Sequence, residues 1–89
     1  NYWDEGHPVK VEGIDAKTIA MSRGGKAVVV VTDYGEGGDA KVTVDMKTLG
    51  LHGDASAKDL ETGAPVERLS SGVFAFNLKK HDFKAMVLE

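Results

Sequence analysis

Most apolar residues of this chain alternate with polar ones, and the alternation marks out strands. In a strand, successive side chains point to opposite faces, so a period of two predicts one buried and one wet side. Val9-Lys10-Val11-Glu12 alternates and stops at Gly13. Residues 17–23 set Ile19 and Met21 on one face and Thr18, Ala20 and Ser22 on the other. Gly24-Gly25 then predicts a hairpin turn, because glycine takes the positive φ that tight hairpins need. After an unbroken apolar run, Asp33-Tyr34-Gly35-Glu36-Gly37-Gly38-Asp39 reads as a flexible loop. Residues 40–46 alternate cleanly, with Ala40, Val42, Val44 and Met46 against Lys41, Thr43 and Asp45. Residues 47–51 predict a single helical turn crossing between sheets, ended by Gly50. Residues 56–60 and 65–69 flank Glu61-Thr62-Gly63 as a hairpin, with Pro65 marking an edge strand. Residues 72–78 put Phe74, Phe76 and Leu78 on one side, and residues 83–88 close the chain. About eight short strands separated by regular turn signals predict an all-β fold, a small two-sheet antiparallel β-sandwich.

The apolar run, Ala27-Val28-Val29-Val30-Val31, breaks the alternation. Ala27, Val29 and Val31 face one way; Val28 and Val30 face the other. Both faces therefore want cover, yet the second sheet of a sandwich covers only one. Two readings follow. Neighbouring side chains, or the Tyr2-Trp3 leader, screen the outer valines; or this outer face docks on another domain. Covering one exposed valine is worth roughly 1.5–3 kcal/mol, so two or three favour a fixed interface.

Length and composition narrow the setting. The 89 residues allow one domain with a thin core, 42% of them being hydrophobic. Residues 1–7 read as a leader or interdomain segment and residues 8–89 as the sandwich. Net charge is −3, with acidic and basic residues mixed along the chain. No basic run stands out, which argues against nucleic acid and against an anionic membrane. No apolar run is long enough for a helix to cross a bilayer. Cysteine is absent, which excludes disulfides and thiolate metal sites. The opening "NYWDEGHPVK" places Tyr2 and the single tryptophan, Trp3, ahead of any regular pattern. Aromatics so placed want a partner surface, and the chain reads as a domain of a longer protein.

No catalytic constellation emerges. His7, His52 and His81 lie far apart, with no i, i+4 pairing for a metal. Asp4-Glu5 and the trio Asp33, Glu36 and Asp39 are the best acidic clusters. The trio sits among glycines, where calcium is conceivable, but it lacks the EF-hand register, and a solvated hairpin loop is the simpler reading. A glycosidase pair needs two carboxyls held rigidly across a cleft, which a thin sandwich does not offer. Ser22, Ser56, Ser70 and Ser71 carry no nucleophile elbow, and "GGKA" is not a phosphate loop. Of six aromatic residues, Phe74, Phe76 and Phe83 look like core, leaving Tyr2, Trp3 and Tyr34. The expectation is no catalytic residue, no cofactor and no metal.

The segments "AVVVVTDYGEGGDAKVTVDMKTLGL", "AKDLETGAPVE" and "GVFAFNLKKHDFKAMVLE" resemble the β-sandwich that follows the TIM barrel in many bacterial glycoside hydrolases. Asp59-Leu60-Glu61-Thr62-Gly63 matches a "D-x-x-T-G" turn, and residues 80–88 match a closing hairpin of the type that often carries Pro-His. The "NYW" leader is similar to a Tyr-Trp segment joining barrel and sandwich. Asp33 stands where asparagine is usual and Lys80 where proline is common. The resemblance implies a non-catalytic accessory domain that stabilises a catalytic barrel of the same polypeptide, in an exported protein. Docking would then use Tyr2, Trp3, Val28 and Val30. Two alternatives remain open. A carbohydrate-binding module would present Trp3 and Tyr34 to a glycan, and an extracellular adhesion or scaffold sandwich would use its exposed edges.

Overall fold

The computed structural model describes residues 9–89; Tyr2, Trp3 and His7 lie outside the described residues. Eight strands form: β1 (Val9–Glu12), β2 (Ala16–Arg23), β3 (Lys26–Asp33), β4 (Gly38–Val44), β5 (Ala57–Asp59), β6 (Glu67–Ser70), β7 (Val73–Leu78) and β8 (Phe83–Leu88). They make two antiparallel four-stranded sheets, ordered β1-β4-β7-β6 and β2-β3-β8-β5. The fold is the small all-β sandwich that the alternation predicts.

Register explains the core. In the second sheet Ala27 lies opposite Leu88, and Val29 opposite Met86. Those four and Val31 are at most 1% exposed. They face Val42, Val44, Phe74 and Leu78 of the first sheet within one apolar cluster. Gly24 and Gly25, at φ 60° and 83°, close the hairpin in which Arg23 opposes Lys26, as a two-residue primed turn requires.

Local expectations fare unevenly. Residues 47–51 cross between the sheets as a hydrogen-bonded turn, not a helix, and drop Leu49 and Leu51 into the core. The Asp45 carboxylate accepts from the Thr48 amide (3.2 Å) and hydroxyl (2.8 Å), which holds its pKa below the usual value. Residues 56–60 and 65–69 start as a hairpin, with Lys58 bridging Pro65. They then part: β5 joins one sheet and β6 becomes the edge of the other. Asp33 belongs to β3 rather than to a solvated loop, and it is 2% exposed.

The sandwich has two distinct ends. Val9, the 23–26 hairpin, Ala57 and Leu88 share one. Asp15, Asp33, Gly38 and Leu78 share the other. Strand direction thus fixes which side chains meet on each outer face.

Candidate functional site

The two outer faces differ chemically. On the β1-β4-β7-β6 sheet, the outward rows are Lys10–Thr43–Val73 and Glu12–Lys41–Ala75–Glu67. Lys10 and Glu12 pair at 3.9 Å, and Asn77 Nδ2 donates to Asp39 Oδ1 at 3.0 Å. This face is more polar but mixed, with Val73 and Ala75 in its outward rows and Leu69 of its edge strand 51% exposed.

On the other sheet the outward rows are Ile19–Val30–Ala85 and Met21–Val28–Val87–Lys58. Leu60 continues the first of these, its amide bonded to the Ala85 carbonyl, and Phe83 lies in the row below with Thr32 and Lys17. Ile19 (63%), Met21 (64%), Leu60 (54%) and Phe83 (46%) are exposed. Val28, Val30 and Val87 are half-buried. A shallow hollow lined by Met21, Arg23, Lys26, Val28 and Val87 opens at the hairpin end. A contiguous apolar patch of this kind marks an interaction surface far better than scattered exposed leucines do. Val28 and Val30 sit at its centre, where the unbroken run places them. The outward alternation of Ile19 and Met21 was legible, although the sequence alone did not make them site residues. Phe83 is corrected from core to surface, since it shares the outward side of β8 with Ala85 and Val87.

Tyr34 follows β3 directly, at the Lys17 corner of this patch. It is 58% exposed, and the Lys17 ammonium sits 5.4 Å from its ring centre. The acidic trio does not assemble. Asp33 is buried, Asp39 bonds Asn77, and Glu36 reaches Lys80 at 3.6 Å. Among the described residues, no group of three histidine or acidic side chains has metal-binding geometry. His52 lies in the connection after β4, and His81 in the turn before β8 at the opposite end.

Asp33 has a structural task. Its Oδ2 accepts from the His81 amide at 2.9 Å, holding that residue at φ 59°. Its Oδ1 is buried without a partner among the described residues. Replacing Asp33 with alanine is expected to lower stability by about 1–3 kcal/mol, because the buried His81 bond is lost. Asparagine keeps an acceptor for that bond but sets an amide nitrogen where Oδ1 has no partner, so Asp33→Asn is expected to lose less stability than Asp33→Ala. Urea unfolding of both variants checks the contrast.

The Asp59 turn is also structural. One carboxylate oxygen accepts from the Glu61 and Thr62 amides at 2.8 and 3.1 Å, and the other accepts from Lys84 Nζ at 2.9 Å. The Lys84 bond first, then the two amides, hold the Asp59 pKa at about 2, against an ordinary 3.8. A carboxylate with a depressed folded pKa adds stability above its unfolded pKa and loses it as pH falls through the folded value. Thermal melts of the wild type are therefore expected to lose an increment between pH 4 and pH 2. Lys84→Met should shrink that increment, whereas Lys41→Met on the opposite sheet should leave it intact.

No family model, curated protein or solved structure matches this chain.

Proposed function

We propose that this chain is a non-catalytic accessory domain of a carbohydrate-active hydrolase, packing on a catalytic barrel of the same polypeptide through the outer face of β2-β3-β8-β5. The observation that carries the docking is the contrast between the faces: the outward rows of one are largely charged and polar, while the other presents Ile19, Met21, Val28, Val30 and Phe83. Burying an exposed Ile or Met side chain contributes about 1.5–3 kcal/mol, so this face stabilises a joint that the polar face does not. The hydrolase setting rests on the sequence resemblance. In that setting Tyr2 and Trp3 would add to the same joint, and the barrel would carry the catalytic acids.

The test uses the segment encoded immediately upstream as the partner. It is purified separately and titrated with this chain. Val30→Glu is expected to weaken association at least tenfold, since it buries a charge at the centre of the joint. Thr43→Glu on the polar face should leave it unchanged. Equal effects at both positions, or none at either, would remove the docking reading.

The glycan-binding alternative is less well supported. Lys17 occupies one approach to the Tyr34 ring, and the exposed aromatic on the same side, Phe83, pairs with Thr32 one row away and borders the apolar rows rather than a polar groove. Titration with soluble oligosaccharides tests it, the readout being the Tyr34 ring resonances, which are expected to stay in place.

A further inference from the structure

The apolar face carries a charge pattern that the linear sequence disperses. Arg23, Lys26 and Glu89 form its end row, Lys58 flanks Val87 at one edge, and Lys17 stands at the diagonal corner. With Asp15, which is exposed two residues before Lys17 on the same side, four cations and two carboxylates give this face +2, in a chain whose net charge is −3. The Glu89 carboxylate is already shared: it meets Lys26 at 3.1 Å and Lys58 at 3.5 Å. Lys26, then Lys58, hold the Glu89 pKa below the ordinary value, so this carboxylate stays ionised and still leaves one of its two lysines in excess. Arg23 and Lys17 make no ion pair among the described residues. The opposite face shows no such bias, with Lys10 and Lys41 set among Glu12, Asp39 and Glu67.

We infer that the surface received by this face is a protein surface apolar at its centre and bordered by carboxylates, placed to meet Arg23, the Lys26–Lys58 pair and Lys17. This inference rests on the docking reading and adds the partner's chemistry to it. A border of net positive charge around an apolar centre disfavours a second copy of the same face, because two basic borders would be brought together. An acidic border instead compensates them. Charges at the rim of an interface act mainly on encounter and on the rejection of wrong partners, while the apolar centre sets how long the complex lasts. The two components are therefore separable by kinetics.

The experiment measures association of the intact 89-residue chain with the purified upstream segment, at about 0.05 M and about 0.5 M salt, where screening lengths differ severalfold. The association rate is expected to fall about tenfold or more between the two salts. Arg23→Glu and Lys58→Glu should each slow association severalfold at low salt, with the difference fading at high salt. Met21→Ala should instead raise the dissociation rate. All three positions are exposed, and circular dichroism confirms that the variants fold.

The outcomes separate the two claims. Association that ignores salt and the charge reversals, yet is lost in Val30→Glu, keeps the docking face and overturns the acidic partner. Faster association after charge reversal overturns it as well. Failure of the wild type to associate at either salt removes the docking reading, and this inference with it. Cosedimentation with phosphatidylserine-containing vesicles, sensitive to Arg23→Glu, would assign the face to a lipid surface and would likewise overturn the protein partner.

Discussion

Phe74→Ala is expected to lower stability by about 3–5 kcal/mol, as for other buried Phe-to-Ala changes. Phe74 is fully buried, in a strand with neighbours on both sides: Val42 is opposite on β4 and Arg68 opposite on β6. Its ring belongs to the cluster that joins both sheets, so truncation leaves a cavity between layers that the neighbouring side chains refill only in part. A domain of this size has a total stability of about 4–13 kcal/mol, so the variant loses about a quarter of it or more. Phe83→Ala is the matched control. Phe83 is 46% exposed on the apolar outer face, and its loss in the isolated chain is expected to cost about 1 kcal/mol or less, mostly in strand preference. Urea titrations of both variants should show a large midpoint shift for Phe74 and a small one for Phe83. Comparable shifts would mean that the assignment of faces on β8 is wrong.

Those two phenylalanines also mark the limit of reading strands from sequence. The period of two identified β4 and β7 and their buried sides, because one side of each is plainly more apolar; in β3 both sides are apolar, and in β2 the more apolar side, Ile19 and Met21, is the exposed one. Strand β8 gives no such contrast. Phe83, Ala85 and Val87 alternate with Lys84, Met86 and Leu88, and the lysine makes the wrong set look inward. Lys84 can face inward because Asp59 meets its ammonium at 2.9 Å and the Phe76 ring lies 5.8 Å away. That pairing spans 25 residues of sequence, beyond any local pattern. Asp33 is the converse. Its place two residues after Val31 puts it on the buried side of β3, but the glycines around it suggest a loop. Its burial depends on the His81 amide, which comes from a distant turn.

The candidate site was half legible for the same reason. Val28 and Val30 announce themselves because an unbroken run has no wet side. Leu60 and Phe83 join them only through the pairing of β5 and β8 with β3, which hydrophobic periodicity does not encode. The basic border is further from view: Lys17, Arg23, Lys26 and Lys58 are separated by acidic and apolar residues, and no run of charge exists in the chain. Sheet register alone brings them to one face.

Gly37→Ala is expected to cost about 2–5 kcal/mol, and Gly63→Ala about 1–2 kcal/mol, although both glycines have φ 76°. The shared backbone angle sets a common penalty, because an L side chain at positive φ crowds its own carbonyl. The surroundings differ. A Cβ at Gly63 would meet nothing within 4 Å, whereas one at Gly37 would lie 2.5 Å from the Leu78 carbonyl oxygen, 2.7 Å from the Lys79 carbonyl carbon and 2.8 Å from the Lys80 amide nitrogen. These are backbone atoms, and no rotamer change moves them aside, so overpacking adds about 1–3 kcal/mol. The chain displaced would be the 79–82 turn, which is also held by the Asp82 amide bond to Lys79 and by the Asp33 carboxylate. Gly37→Ala should therefore shift the amide resonances of Lys80 and His81 as well as the unfolding midpoint, while Gly63→Ala leaves those resonances in place. Equal stability losses in the two variants would show that φ alone sets the cost. The contact between the 34–38 loop and the 78–80 segment would then be looser than the structure has it.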